Sequence, residues 1–322
     1  MSHSDASNAL PTKPLGKTGL EVTTIGIGCG GLGRLQDGSF DEDVGLATLL
    51  AALDAGVRLV DTASVYLNGA SERIVGQALR ERPALAGQIV LETKVRDVRE
   101  FGYTGDEARR SVATSLARLG VDHIPVIYIH DPSAAIFEQV MGPGGALAAL
   151  RQLQSEGIIG HIGIASNNPW DNAPYIESGE FETAVVPDAF SLLSQVALER
   201  IFPAAARFGM GIVIATPLER GLLATGTRLA RPEDHSNRQF TPEVFAYVEG
   251  LEVVCAEYGV SILAAALHYV VRHPVVSATI PGARTPEQAR VNIAAMIEPI
   301  PDAFWTDLEP HIRTFDTALP PE

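Results

Sequence analysis

Short β-branched, apolar runs alternate with longer amphipathic stretches along most of the chain. The runs predict strands at 23–29, 58–60, 88–93, 125–129, 160–165, 183–186, 211–215 and 276–280. Between them, apolar spacing predicts helices over 41–55, 71–80, 106–119, 145–156, 169–178, 195–208, 242–258 and 286–295. Thr285-Pro286-Glu287-Gln288 reads as an N-cap, a proline at the first helical position and a capping-box glutamine. Eight strands alternating with eight helices in one composition regime predict the α/β class, a single (β/α)8 TIM barrel over residues 14–322. A Gly-Lys-Thr-Gly turn within 13–22 adds a short N-terminal hairpin. Residues 1–13 read as a flexible tail, and 302–314 as an extra C-terminal helix on the outside. The longest irregular stretch, 218–241, has the length and polarity of a functional lid.

Composition narrows the partners more than the fold. Hydrophobic residues make up 46% and charged ones 20% of 322, ordinary for a globular protein. A net charge of −15 argues against nucleic acid and anionic membrane surfaces as main partners. No apolar run reaches the roughly 18 residues of a membrane span, and Met1 to Ala9 lack the pattern of a signal peptide. Two cysteines, Cys29 and Cys255, cannot form a disulfide framework, so a reducing, cytoplasmic setting is expected. Lysine occurs only at Lys13, Lys17 and Lys94. Arginine serves nearly everywhere else, so the lysine inside an apolar run at 94 points to a compact charge that a guanidinium cannot replace.

In a barrel of this kind chemistry gathers where strands end. The second strand ends at Asp61 with Tyr66 on its loop, the third at Lys94, the fourth at His130, and the fifth at Ser166 and Asn167. A carboxylate, a phenol, an ammonium and an imidazole on one face make a tuned acid/base site. There Lys94 is expected to lower the pKa of Tyr66, Asp61 to hold Lys94, and His130 to donate to a carbonyl oxygen. Singly, each has a plainer reading: a structural histidine, a packing tyrosine, an ion pair. Four at equivalent points of successive strands favour the site. Trp170 and Phe190 follow the fifth and sixth strands, as core residues or as the lining of a sugar or ring pocket. Gly28-Cys29-Gly30-Gly31-Leu32-Gly33 fits the dinucleotide fingerprint, but residues 34–40 intervene and the next helix opens on Asp41-Glu42-Asp43, which would repel phosphate. No metal-ligand spacing occurs, and none is expected to be bound.

Together G-I-G-C-G, D-T-A-S-V-Y, L-E-T-K, Y-I-H-D-P, G-I-A-S-N and I-P-G-A-R-T-P-E-Q-A-R-V-N resemble, in order, the aldo-keto reductases, a family of NAD(P)-dependent barrel oxidoreductases. Y-I-H-D-P, Phe101-Gly-Tyr-Thr and I-P-G-A-R are similar to the aldose 1-dehydrogenase branch, which includes L-fucose, D-threo-aldose and L-galactose dehydrogenases, with pyridoxal dehydrogenases as relatives. The resemblance implies that Tyr66 is the general acid/base, that Lys94 and Asp61 tune it, and that His130 orients substrate. Ser166 and Asn167 would hold the nicotinamide carboxamide, Arg284 the adenosine phosphate, and Gln288 and Asn292 the adenine. Other cofactor contacts fall at Gly30, Gly31, Thr216, Leu218, Gly221 and Gly282.

Five positions depart from the family pattern. Leu67 replaces the glycine after the tyrosine and is expected to narrow or reshape the substrate mouth. Ala215 and Pro187 replace a stacking aromatic and a carboxamide-binding glutamine. Gly282 and Gln288 replace the lysine and arginine of the 2′-phosphate clamp, so NAD is expected to serve as well as NADP. The implied activity is oxidation of an aldose at C1 to the lactone. The alternatives are a carbonyl reductase acting on non-sugar aldehydes or ketones, pyridoxal-like compounds included, and a non-catalytic nucleotide-binding subunit like the potassium-channel β proteins. The partner is a small sugar or carbonyl compound, and the chain a monomer or small homo-oligomer.

Overall fold

A computed structural model describes residues 9–35, 37–96, 103–228 and 240–316. Residues 1–8 of the expected tail, Phe101-Gly102, and 229–239 of the expected lid lie outside the described residues.

The strands are β1 (Thr12–Pro14), β2 (Glu21–Thr23), β3 (Ile27–Gly28), β4 (Leu59–Asp61), β5 (Val90–Val95), β6 (Ile124–His130), β7 (Ile159–Ala165), β8 (Thr183–Val186), β9 (Gly211–Ala215) and β10 (Val276–Ile280). Strands β3 to β10 pair in sequence order, all parallel. Bridges from Ile25 to Thr279 and from Gly28 to Gly282 join the first edge to the last. The TIM barrel is therefore as expected. The helices are α1 (Glu42–Asp54), α2 (Ala70–Glu81), α3 (Pro83–Ala86), α4 (Gly105–Leu119), α5 (Phe137–Met141), α6 (Ala146–Ser155), α7 (Pro169–Glu177), α8 (Ile201–Phe208), α9 (Leu222–Thr225), α10 (Pro242–Tyr258), α11 (Ile262–Arg272), α12 (Pro286–Met296) and α13 (Asp302–Leu308).

Strand pleating divides the core in two. Leu59, Val90, Val126, Tyr128, Val185, Val213 and Ala278 fill the barrel, and Leu15 and Val22 of the hairpin close its floor. Outward residues such as Leu91, Val95, Ile127 and Ile129 pack with the helices in a larger core. Polar groups start the helices: the Asp41 carboxylate accepts from the backbone of Asp43 and Val44, and Thr104 forms a capping box with Glu107.

Four expectations change. The run at 23–29 is not one strand, because β2 belongs to the antiparallel hairpin and only β3 enters the barrel. Between them Gly26 lies against β4, where a Cβ would be 2.8 Å from the Leu59 carbonyl oxygen. The end of the expected tail is in that hairpin: β1 begins at Thr12, and Lys13 Nζ donates to the carbonyls of Val271 (2.6 Å) and Val276 (3.0 Å). The seventh crossover helix is α11, which periodicity missed; α11 packs on β10 and α12, whereas α10 packs against α13. A local signal for it was there to read, because Gly259 ends α10 and Ser261 caps the next, mostly apolar run. Finally, Gln288 does not close a capping box on Thr285. Its Oε1 accepts from Arg284 N at 2.8 Å, one residue earlier, while Thr285 Oγ1 takes Gln288 N.

Candidate active site

The ends of β4 to β7 bring Asp61, Lys94, His130 and Ser166 together at the C-terminal mouth. Along β5, Val90 faces the barrel and Thr93 the helices, where its hydroxyl donates to Glu72. The two-residue period therefore turns Glu92 and Lys94 inward. Lys94, 1% exposed, donates to Asp61 Oδ1 and to the Thr62 carbonyl (2.8 Å), and its Nζ lies 4.8 Å from the Tyr66 ring centroid. His130 meets the Tyr66 ring edge-on, with centroids 5.7 Å apart. The four acid/base residues form one cluster.

Electrostatics correct one expectation. Burial of its hydroxyl raises the Tyr66 pKa, and the pull of Lys94 only partly offsets this because Asp61 pushes the other way. Tyr66 therefore holds its proton at neutral pH, and the phenol is suited to giving up a proton rather than taking one. Burial alone would lower the Lys94 pKa, but Asp61 and Tyr66 hold it above the ordinary lysine range, so the ammonium persists. Burial, then the Lys94 and Arg96 charges, keep His130 neutral, well below the usual histidine range. His130 Nδ1 is buried without a partner. A proton on Nε2 therefore leaves only a lone pair unmatched and directs the donor toward the mouth. Burial raises the Cys29 thiol, which makes it a poor nucleophile.

The loop carrying Tyr66 is pinned from behind. Arg118 of α4 donates through Nη1 to the Ser64 carbonyl (2.9 Å) and to the buried Glu72 carboxylate (3.2 Å). Gly69 rests on that guanidinium: a Cβ there would lie 2.5 Å from Arg118 Cζ. Sequence reasoning missed this pair. It also missed Asp131, whose Oδ1 accepts from Asn167 N (2.8 Å) and whose Oδ2 accepts from Asn167 Nδ2 (2.9 Å) and Arg96 Nη1 (3.2 Å). The sequence shows a carboxylate directly after His130 and an arginine two residues past Lys94, but not that the two meet. Glu92, below Lys94, was missed as well: Tyr128 donates to its Oε1 at 2.7 Å, and Oε2 has no partner.

The expected cofactor residues line the rim from β3 to α12. Gly31 and Gly221 face open space, and a Cβ at Gly30 would touch the Tyr66 ring at 3.5 Å. Ser166 is buried, while Asn167 is exposed with its amide nitrogen held by Asp131, which leaves its carbonyl oxygen to accept. Thr216, at φ 56°, receives Asp188 N on its hydroxyl, and Leu218 is buried beside it. Asn292 Nδ2 donates to the Gly282 carbonyl (3.3 Å), and the Arg284 side chain is exposed at the start of α12. Glycine-cleared backbone, a preset amide and an uncommitted cation fit a dinucleotide lying from β7 to α12.

The substrate residues fare unevenly. Trp170 stands 52% exposed at the start of α7, on the mouth side. Phe190 does not line a pocket. It is 4% exposed, stacked on Tyr269 (5.1 Å) and edge-on to Phe202, because the chain tucks under α8 and α11 after β8. Leu67 is also buried in the outer core, at φ 50°, rather than narrowing the mouth.

The chain belongs to the aldo/keto reductase family, whose model matches residues 24–313, and it is an oxidoreductase of that family. It is 31% identical to pyridoxal 4-dehydrogenase from Microbacterium luteolum, over 92% of this chain and 96% of that one. It is also 31% identical to the NADH-specific methylglyoxal reductase of Escherichia coli, over 91% and 95%. Identity to D-threo-aldose 1-dehydrogenase from a Pseudomonas species is 27%, over 90% and 94%. The fold matches the holo form of an aldo-keto reductase from Bacillus halodurans with a TM-score of 0.78 at 24% identity, covering 94% of this chain and 97% of that one.

Proposed function

We propose that this protein interconverts a carbinol and a carbonyl on a small oxygen-rich substrate, with Tyr66 as general acid/base and NAD as the preferred cofactor. The observation that carries the reading is the buried Lys94 ammonium, bound to Asp61 and set against the Tyr66 ring beside a neutral His130. When bound, the nicotinamide supplies or accepts the hydride. In reduction, His130 donates a hydrogen bond to the carbonyl oxygen and Tyr66 hands its proton to that oxygen as it becomes an alkoxide. In oxidation, Tyr66 first gives up its proton and then takes the one from the hydroxyl; with a cyclic aldose, loss of the C1 hydrogen as hydride leaves the lactone. The raised Tyr66 pKa favours reduction at neutral pH and makes oxidation climb as pH rises.

The NAD preference is supported by the rim. Near the expected adenosine end, Arg284 and Arg290 are the exposed cations of this stretch among the described residues, and Arg290 already faces Glu287 at 3.9 Å. The substrate class is supported by the relatives, whose names include a pyridoxal and an aldose dehydrogenase and a methylglyoxal reductase.

The experiment is nicotinamide absorbance with each cofactor in both directions, using aldoses, pyridoxal and short aldehydes. Turnover that is faster with NAD(H) supports the reading. Tight nucleotide binding without turnover in either direction sinks it and leaves a binding subunit.

A further inference from the structure

Arg96 is the first residue after β5, two past Lys94, and its contacts place it at the mouth. It is fixed at both ends. Ser64 Oγ, from the loop that carries Tyr66, donates to its carbonyl at 2.9 Å, and its Nη1 donates to Asp131 Oδ2 at 3.2 Å. That same carboxylate oxygen accepts from Asn167 Nδ2 at 2.9 Å and lies 3.8 Å from His130 Nε2. One oxygen thus links the guanidinium, the nitrogen expected to face the reacting carbonyl and the amide expected to hold the cofactor. The Arg96 side chain is 31% exposed and makes no other side-chain hydrogen bond among the described residues. A guanidinium has five donors in a rigid fork, so most have no acceptor among the described residues.

Charge determines what those donors suit. Asp61 is balanced by Lys94 and Asp131 by Arg96, while His130 is neutral and the Tyr66 and Tyr103 hydroxyls are protonated. The buried Glu92 lies a layer deeper and is held from ionising by burial and by Asp61. Among the described residues the lining therefore offers directed hydrogen bonds with little net positive charge. A carboxylate or phosphate would lose more hydration there than it regained, whereas a neutral hydroxyl or carbonyl oxygen would not.

We propose that Arg96, anchored by Asp131, is a specificity-determining residue that grips a neutral oxygen on the carbon next to the reacting one, selecting 2-hydroxy and 2-oxo aldehydes over simple aldehydes and over 2-oxo acids. This rests on the carbonyl-reducing reading of the same site. Asp131 is a positioning residue in this arrangement: its carboxylate both aims the guanidinium and cancels its charge.

Three aldehydes of similar size separate the terms: methylglyoxal, propanal, which lacks the second oxygen, and glyoxylate, which carries a charge. Wild-type enzyme is expected to give a methylglyoxal kcat/KM at least about tenfold above each of the others. In Arg96→Met the methylglyoxal-to-propanal ratio should fall at least about tenfold, mainly through KM, and Arg96→Lys, which keeps a donor, should recover part of it. Asp131→Asn frees the cation, so the glyoxylate-to-methylglyoxal ratio should rise severalfold. Equal losses on methylglyoxal and propanal in both Arg96 variants, with nucleotide affinity retained, would show a merely structural arginine and overturn the proposal. So would a wild type that turns over propanal as well as methylglyoxal. A wild type inert with all three aldehydes defeats the carbonyl-reducing reading itself, and this inference with it.

Discussion

At the floor of the barrel, helices turn back into strands through glycines in the left-handed region, as at Gly120 (φ 68°) and Gly209 (φ 64°), where no side chain resists that conformation. At the mouth the same region holds Leu67, Asn68, Asp131, Asp188, Thr216, Glu219 and Arg220, which are all the positive-φ non-glycine residues among the described ones. Each follows a barrel strand. Such backbone costs of order 1 kcal/mol or more per residue and persists only where its surroundings impose it. Here the surroundings are identifiable. Arg118 and Gly69 hold the Tyr66 loop, Asn167 and Arg96 hold Asp131, and Arg220 pairs with Asp188 at 3.0 Å. The floor is built for stability and the mouth for placement, and a substitution at one end should not read like a substitution at the other.

The largest expected effect tests the mouth alone. Tyr66→Phe should lower kcat by at least about a hundredfold, the usual scale for an acid/base residue, with the melting temperature nearly unchanged. Lys94→Arg should also fail despite its charge, because the ammonium fills a closed site between Asp61 and the Thr62 carbonyl. Near-normal turnover in Tyr66→Phe would remove the assignment altogether.

Next comes Glu92, which extends the cost of the mouth one layer into the barrel. Burial, then the Asp61 charge, push its carboxyl from 4.5 up to about 8. The folded state therefore keeps a proton that the unfolded chain releases. Stability falls as pH rises from the ordinary carboxylate range through about 8 and is lowest above it. Glu92→Gln mimics the protonated form, so denaturant unfolding should find variant and wild type similar near pH 4. At pH 9 the variant should be more stable, by on the order of a few kcal/mol. A gap that fails to widen with pH would mean that Glu92 is already ionised and compensated at neutral pH.

How much of this was legible beforehand follows the same division. Strand ends can be read from apolar runs, so the clustering of Asp61, Tyr66, Lys94 and His130 at one mouth was legible from spacing. Residues that position them through the backbone were not. Nothing local in Arg118 says that it reaches Ser64 across two elements, and nothing in Asp131 says that it will turn left-handed and collect Asn167 and Arg96. Phe190 failed for the related reason that an aromatic after a strand can fold to either side of the barrel wall, and tertiary packing against Tyr269 decides which. The Tyr66 pKa was misjudged because the sequence names the neighbouring charges but not the depth of burial that outweighs them.

The smaller effects cross the two ends directly. Gly209→Ala meets no close atom, its nearest contact being Lys17 Cβ at 3.9 Å, so its penalty is backbone strain alone: about 1 kcal/mol of stability, with kcat unchanged. Asn68→Gly is the converse. Asn68 is exposed at φ 54°, and asparagine already tolerates that region. Glycine relieves a little strain in the folded chain but adds freedom to the unfolded one, so stability should move by less than about 0.5 kcal/mol. That freedom enters two residues from Tyr66, between its ring and the Gly69 contact with Arg118, and small displacements of a proton donor are costly. Turnover should therefore drop about threefold while the unfolding midpoint stays in place. If Asn68→Gly leaves turnover untouched, the left-handed segment is only a way around a corner, and placement of Tyr66 depends on Lys94 and His130 alone.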